Sequence, residues 1–367
     1  MRRNRRGITL IEMLVVIGIL AALVALLFPA LSGGRSVAKR TQCLNNLRQV
    51  GLAMIQVADR KGRFPASGTF SATGPEQYFS WVVPLLRDLD RNDLANAWDL
   101  DQPADDVTPP TSGTANNGSL AQTGINILVC PLDTTIVPGR GNLSYAVNGG
   151  FGWTQPVDCP TTPHWAGVPS FSTTPFDFNG DGKTCNSAED DPALLGSDRL
   201  LYFRTGLFFA ENWPEGTGTS RHHTLGSITD GASTTIMIAE NVRVGFDPAW
   251  NSSWASPWPP RQSFFLSGYI CKSSSCSAGN VDYARANDRS GLPQSLESIN
   301  ASLDQAEGEA PWPSSYHPGG VNVVMADGHG QFLRETIDGK VYAALVSPQG
   351  LKIKGPLGQV IPGEDDY

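Results

Sequence analysis

The sequence predicts an α+β fold in which a long N-terminal helix, first apolar and then amphipathic, packs on a β-rich, loop-rich globular domain. Three observations predict it. Residues 13–31 form a run of 19 residues without a charge. Leu44, Leu47, Gly51, Met54 or Ile55, and Ala58 then recur at spacings of three and four, one face of an amphipathic helix. The chain is rich in Gly (39) and Pro (27) among 367 residues, with much Ser, Thr and Asn, a composition of turns and short strands. The predicted organisation is a basic leader at 1–7, a transmembrane helix at 8–31, an amphipathic extension at 32–62 and a globular domain at 63–367. An insertion is expected near 152–198.

The first element is the most informative. At 1.5 Å per residue the uncharged run is about 28 Å long, one hydrocarbon core. Arg2, Arg3, Arg5 and Arg6 precede it, and Glu12 sits just inside the apolar stretch. A cleaved secretory signal with a site near Ala30-Leu31-Ser32 and an uncleaved anchor both account for the basic start. Neither accounts for Glu12, since an acid in such a segment is costly and needs a function. Arg-rich leader, Gly7, Ile8, Thr9-Leu10-Ile11-Glu12 and an apolar helix together resemble the prepilin signal of type IV pilins and type II secretion pseudopilins. The resemblance implies cleavage after Gly7 by a prepilin peptidase and N-methylation of Ile8, where the family more often has Phe. Pro29, 21 residues after Ile8, stands where these helices often carry a kinking proline. Glu12 lies one helical turn from the new α-amine. It can pair with its own N-terminus or a neighbour's, and the resemblance favours the neighbour, as an assembly contact. The alternative is a tolerated acid near the membrane interface.

The later elements follow from pattern. Ser32-Gly33-Gly34 predicts a bend or a local weakness in the helix, which is expected to end near Lys61-Gly62 with Pro65 beyond. Residues 81–86 begin a short helical turn, 101–124 form a polar loop, and 127–131 read as a strand end. Residues 200–209 and 234–239 read as buried strands. Strand-like runs at 321–326 and 329–333 flank Asp327-Gly328, a hairpin signal in which both turn residues are expected at positive φ. No fixed-period repeat appears.

The formal charge is −8, and loss of the leader leaves 23 basic against 35 acidic residues, or −12. That sign argues against a nucleic-acid partner. Six cysteines (Cys43, Cys130, Cys159, Cys185, Cys271 and Cys276) fit an oxidising compartment, so the large domain is expected outside the cytoplasm. Their pairing is open from spacing, with Cys271 and Cys276 close enough to bridge a small loop.

Several blocks recur together in a bacterial family with prepilin N-termini and a His-(nine residues)-Asp-Gly motif, here His317 to Asp327-Gly328. The others are residues 43–51, Gly62-Arg63-Phe64-Pro65, Cys130-Pro131-Leu132-Asp133, Ser144-Tyr145, and residues 228–236. The chain resembles this family from residue 1 to about 335. The resemblance implies a pseudopilin-like architecture and supplies no biochemical activity. Since Cys43 and Cys130 fall in family blocks, it also implies a disulfide between them, tying helix to domain.

The sharpest candidate metal site is Asp177-Phe178-Asn179-Gly180-Asp181-Gly182-Lys183. D-x-N-x-D-G matches the start of a calcium loop, with Asp177, Asn179 and Asp181 as side-chain ligands and the Lys183 carbonyl as a fourth. Ala188 occupies the usual closing position, so Glu189 is the candidate closure; a polar turn without metal is the alternative. Cys159 and Cys185 bracket this loop. His317 and Asp327 invite a catalytic or metal reading, but a loop imidazole near a hairpin fits better, and His222-His223 take the same caution. No serine elbow, P-loop or HExxH is present, and no enzyme activity is expected. Trp250, Trp254 and Trp258 are either a sugar-stacking platform or packing residues of a Pro-rich loop. The expectation is a structural subunit of the inner membrane, single-pass, with its N-terminus cytoplasmic and its large domain periplasmic or at the cell surface. Its expected partners are the prepilin peptidase, an assembly platform with its ATPase, and copies of itself. The alternative is a calcium-stabilised, membrane-anchored binding protein that uses the leader for export only.

Overall fold

The computed structural model describes residues 9–71, 77–104, 116–151, 153–154, 160–161, 201–212, 222–246, 252–266, 270, 282–290, 297–301, 303–353 and 358–359. Helix α1 (Leu10–Lys61) dominates it, 52 residues long. It starts at a capping box: the Glu12 backbone N–H donates to Thr9 Oγ1, and the Thr9 N–H donates back to Glu12 Oε2 at 2.8 Å. It ends at Gly62, whose φ of 70° suits the left-handed cap that glycine takes without strain. Helix α1 runs unbroken through Ser32-Gly33-Gly34. Glycine weakens a helix by only about 1 kcal/mol per residue, too little to break one this long.

The second half of α1 lies on a five-stranded sheet of order β7-β3-β6-β8-β9. The strands are β3 (Tyr145–Asn148), β6 (Ile236–Glu240), β7 (Ser263–Phe264), β8 (Gly320–Met325) and β9 (Gly330–Arg334). All neighbours run antiparallel except β3 with β7. Every residue of β6 and β8 is buried, because both sheet faces are covered. On one face α1 places Cys43, Leu47, Val50, Ala53, Met54 and Val57 in the core. Helix α4 (Gly339–Val346) reaches the sheet through Asn148, whose side-chain amide donates to the carbonyls of Ile236 and Val346.

Gly51 sets how closely α1 approaches the sheet. A Cβ there would stand 2.6 Å from Val324 Cγ1, and Val324 is fully buried in β8. A glycine inside a helix is otherwise unfavourable by about 0.5–1 kcal/mol relative to alanine. Gly51→Val is therefore expected to destabilise the domain by about 1–3 kcal/mol through overpacking. A denaturant midpoint at or above wild type would show that helix propensity, not close approach, governs this position.

Smaller elements complete the core. Strands β1 (Gly68–Phe70) and β2 (Gln77–Ser80) form a hairpin, and β4 (Trp153–Thr154) pairs with β5 (Pro160–Thr161). Short helices α2 (Asn92–Ala97) and α3 (Asn117–Ala121) precede β3. Three sequence expectations change. Leu201 and Tyr202 close a helical turn rather than a strand, and their neighbours pack as an aromatic cluster of Tyr202, Phe203 and Phe209. Asn126–Leu128 is a 3-10 turn, not a strand end. Trp254 is fully buried against Trp98 and donates its indole N–H to the Thr123 carbonyl, which removes it from any exposed sugar platform. Trp258 packs against Trp312 and Phe265, and Trp250 lies outside the described residues.

Candidate functional site: a buried cluster beneath the N-terminal helix

The family blocks converge where α1 meets the sheet. Cys43 is bonded to Cys130 across 87 residues of chain. The pairing that the resemblance implied is thus present. The Asn46 side chain fixes the other approach by donating to the Val129 carbonyl at 3.2 Å. Tyr145, the first residue of β3, donates its hydroxyl to the Cys43 carbonyl at 3.4 Å. Burial, and secondarily the charge of Glu240, push that hydroxyl's pKa well above its ordinary value, so Tyr145 stays neutral. Asp133 of the Cys130 block accepts from Ser144 Oγ at 2.6 Å and from the Thr135 N–H and hydroxyl. Burial raises its pKa above the ordinary 3.8 in spite of these donors. These contacts make the scattered blocks one packed unit.

Against the disulfide sits a pair of ionisable side chains. His317 Nε2 is 3.1 Å from Glu240 Oε1 and 3.5 Å from Cys130 Sγ. Both side chains are fully buried. Glu240 ends β6, directly opposite Tyr145 of β3. Its carboxylate accepts the Asn322 backbone N–H at 2.8 Å and the Asn322 side-chain amide at 3.0 Å. His317 is held by the loop entering β8: its N–H donates to Ser315 Oγ, and Ser315 donates to the Gly320 carbonyl. His317 Nδ1 is buried with no hydrogen-bond partner. One sulfur from each of Cys43 and Cys130, a Glu240 oxygen and a His317 nitrogen all lie within 4.8 Å of one another.

The other candidate residues are placed differently. Asp327 is exposed at the far end of β8, whose six residues put it about 20 Å along the strand from the His317 end. It accepts from the His329 N–H and contacts His329 Nδ1 at 2.7 Å. His317 and Asp327 thus form no common site. Only Gly328 has a positive φ in this turn, at 89°. The turn closes by Gly328 N–H to the Met325 carbonyl and Met325 N–H to the His329 carbonyl, so it is one residue longer than the two-residue turn expected from Asp-Gly. Glycine is also required there because the turn abuts Ile55 and Leu52 of α1. His223 contacts Ser227 Oγ and the Phe203 carbonyl, and His222 contacts Glu211, which identifies both as structural loop residues. Glu12 is exposed and occupied by its own cap. Gly7, Ile8, Asp177, Asn179, Asp181, Lys183, Glu189, Cys159, Cys185, Cys271 and Cys276 lie outside the described residues.

A family model described as "Protein of unknown function (DUF1559)" matches residues 33–340. The chain belongs to this family. The match spans α1's second half, the sheet and the whole buried cluster. A second model, the prokaryotic N-terminal methylation motif, matches residues 2–28. This DUF1559 protein therefore carries a pilin-type leader, a substrate for prepilin peptidase, and belongs with export and a pilus or secretion assembly context. No curated protein and no solved structure gave a match. Glu240 was missed in the sequence because it lies outside every family block. The one available signal was an acid closing the apolar run Ile236-Met237-Ile238-Ala239.

Proposed function

We propose that this protein is a pilin-like structural subunit, processed after Gly7, N-methylated at Ile8 and assembled through its N-terminal helix in a pseudopilin system. The observation that carries the reading is the pairing of the methylation motif with the bare first half of α1. Leu10, Ile11, Met13, Leu14, Val15, Val16, Ile17, Ile19, Leu20, Leu23 and Val24 are all exposed. An apolar surface this continuous belongs against lipid or against neighbouring helices. Among the described residues no helix is long and apolar enough to cross a membrane. Spanning by residues 8–31 therefore rests on the sequence run alone. In this reading the domain lies on the periplasmic side, and the assembly platform, its ATPase and further copies of the chain are the partners.

N-terminal mass spectrometry of membrane-extracted protein is the test. N-methyl-Ile8 is the expected start; a start at Gly33 or Met1 refutes the processing. Glu12→Ala is expected to leave membrane insertion intact and abolish incorporation into filaments, and normal incorporation would sink the assembly role. The size of the domain, residues 62–367 beyond α1, favours a second reading, a membrane-anchored binding protein that uses the leader for export only. Filament imaging of the processed protein separates the two. In either reading calcium held at Asp177, Asn179, Asp181, Lys183 and Glu189 stiffens the domain rather than catalysing a reaction. Calorimetric titration with calcium is expected to give heat from wild type and none from Asp177→Ala with Asp181→Ala; a silent wild type removes the site.

A further inference from the structure

The buried cluster beneath α1 contains more than a disulfide requires. A carboxylate and an imidazole, both out of contact with solvent, stand against the two sulfurs. Burying such a pair is often neutral or unfavourable compared with apolar packing. We propose that Cys43, Cys130, His317 and Glu240 form a zinc site in the chain before its disulfide closes.

The donor set is two thiolates, one imidazole nitrogen and one carboxylate oxygen, the mixture that selects tetrahedral zinc. Distances decide whether it fits. Tetrahedral zinc sets its ligand atoms about 3.3–3.8 Å apart. His317 Nε2 stands 3.5 Å from Cys130 Sγ and 3.1 Å from Glu240 Oε1, already near that spacing. All four ligand atoms lie within 4.8 Å of one another, and the bonded sulfurs must separate for zinc to enter, so metal and disulfide exclude each other. The ligands come from α1, the loop before β3, β6 and the loop before β8, so zinc would clamp four segments that are distant in sequence. Because the cluster is closed to solvent, the metal loads as the domain folds.

The chemistry balances through thiol–disulfide exchange. A dithiol gives two electrons and two protons to the Cys43–Cys130 bond and leaves as its own disulfide. Zinc then forms two Zn–S bonds, and the two thiol protons pass to solvent. In the reverse direction a small-molecule or protein disulfide accepts two electrons from the thiolates, the S–S bond forms and zinc departs.

Cobalt(II) is the probe, used as a coloured substitute for zinc. The full chain is reduced with excess dithiol in denaturant, freed of the dithiol without oxygen, and refolded in detergent with cobalt. Thiolate-to-cobalt charge-transfer absorption and the visible bands of a tetrahedral ion are expected at one equivalent. Cys159, Cys185, Cys271 and Cys276 are thiols after this treatment too, so the reference is the chain carrying Cys43→Ser and Cys130→Ser, which should lose that equivalent. Even loss of an outer-shell partner weakens metal sites about ten- to hundred-fold, so Glu240→Gln and His317→Gln should each weaken binding about tenfold or more. Circular dichroism of each refolded variant separates lost binding from lost fold. A folded, reduced wild type without the tetrahedral spectrum overturns the site. So does a spectrum unchanged in the serine reference, or in both Glu240→Gln and His317→Gln.

Discussion

Replacing Cys43 and Cys130 together by serine is expected to lower the unfolding free energy of the oxidised protein by about 2–5 kcal/mol. The sequence separation of 87 residues sets the scale. Closing a loop of that length removes roughly 4–5 kcal/mol of chain entropy from the unfolded state in the loop-closure model. Both positions are buried, Cys43 fully and Cys130 at 1% exposure, so the serine hydroxyls add a desolvation cost rather than relief. The loss should appear as a lower denaturant midpoint with α1 still helical by circular dichroism. A change below about 1 kcal/mol would mean that packing of Leu47, Val50, Met54 and Val57 alone holds the helix on the sheet.

The second large effect is expected at Glu240. Glu240→Ala leaves the His317 imidazole, the Asn322 N–H and the Asn322 amide without their acceptor. Breaking a buried pair from one side typically costs about 3–5 kcal/mol, because the remaining polar group stays buried and unmatched. Replacing both partners by leucine should cost less than the sum of the two single leucine replacements, since the imidazole is then no longer stranded, while the Asn322 N–H and amide lose their acceptor in either case. Denaturant unfolding of Glu240→Leu, His317→Leu and the variant carrying both closes the cycle. Additive losses would show that Glu240 and His317 act independently and that their 3.1 Å contact carries no coupling.

The sequence made the long helix and the C-terminal hairpin legible for clear reasons. The three-and-four spacing from Leu44 to Ala58 marks the buried stripe of α1: Leu47, Met54 and Ala58 are core residues, joined there by Cys43, Val50 and Val57. The hairpin followed from two apolar runs around Asp-Gly, though the backbone takes a longer turn in which Gly328 alone has positive φ. Residues 200–209 misled because a short apolar run reads equally as a strand or as aromatic packing around a turn. The Thr9–Glu12 capping box is visible in the sequence as the spacing Thr-x-x-Glu at the start of an apolar run. The buried cluster was half legible. Cys43, Cys130 and His317 stood in family blocks, whereas Glu240 becomes significant only when β6 brings it opposite Tyr145 and beside Asn322.

The position of the disulfide along α1 also decides where a pull is borne. Among the described side chains, Cys43 is the first buried residue of the helix, and the α1 residues in the core follow it. Tension on the bare N-terminal half therefore meets a covalent link before it meets any non-covalent packing. The load passes to residue 130 inside the domain and leaves residues 44–58 slack. Without the bond, the same tension would peel the helix from the sheet one turn at a time, beginning at Leu47. A chain pulled by its N-terminus is thus loaded in shear through a bond rather than unzipped.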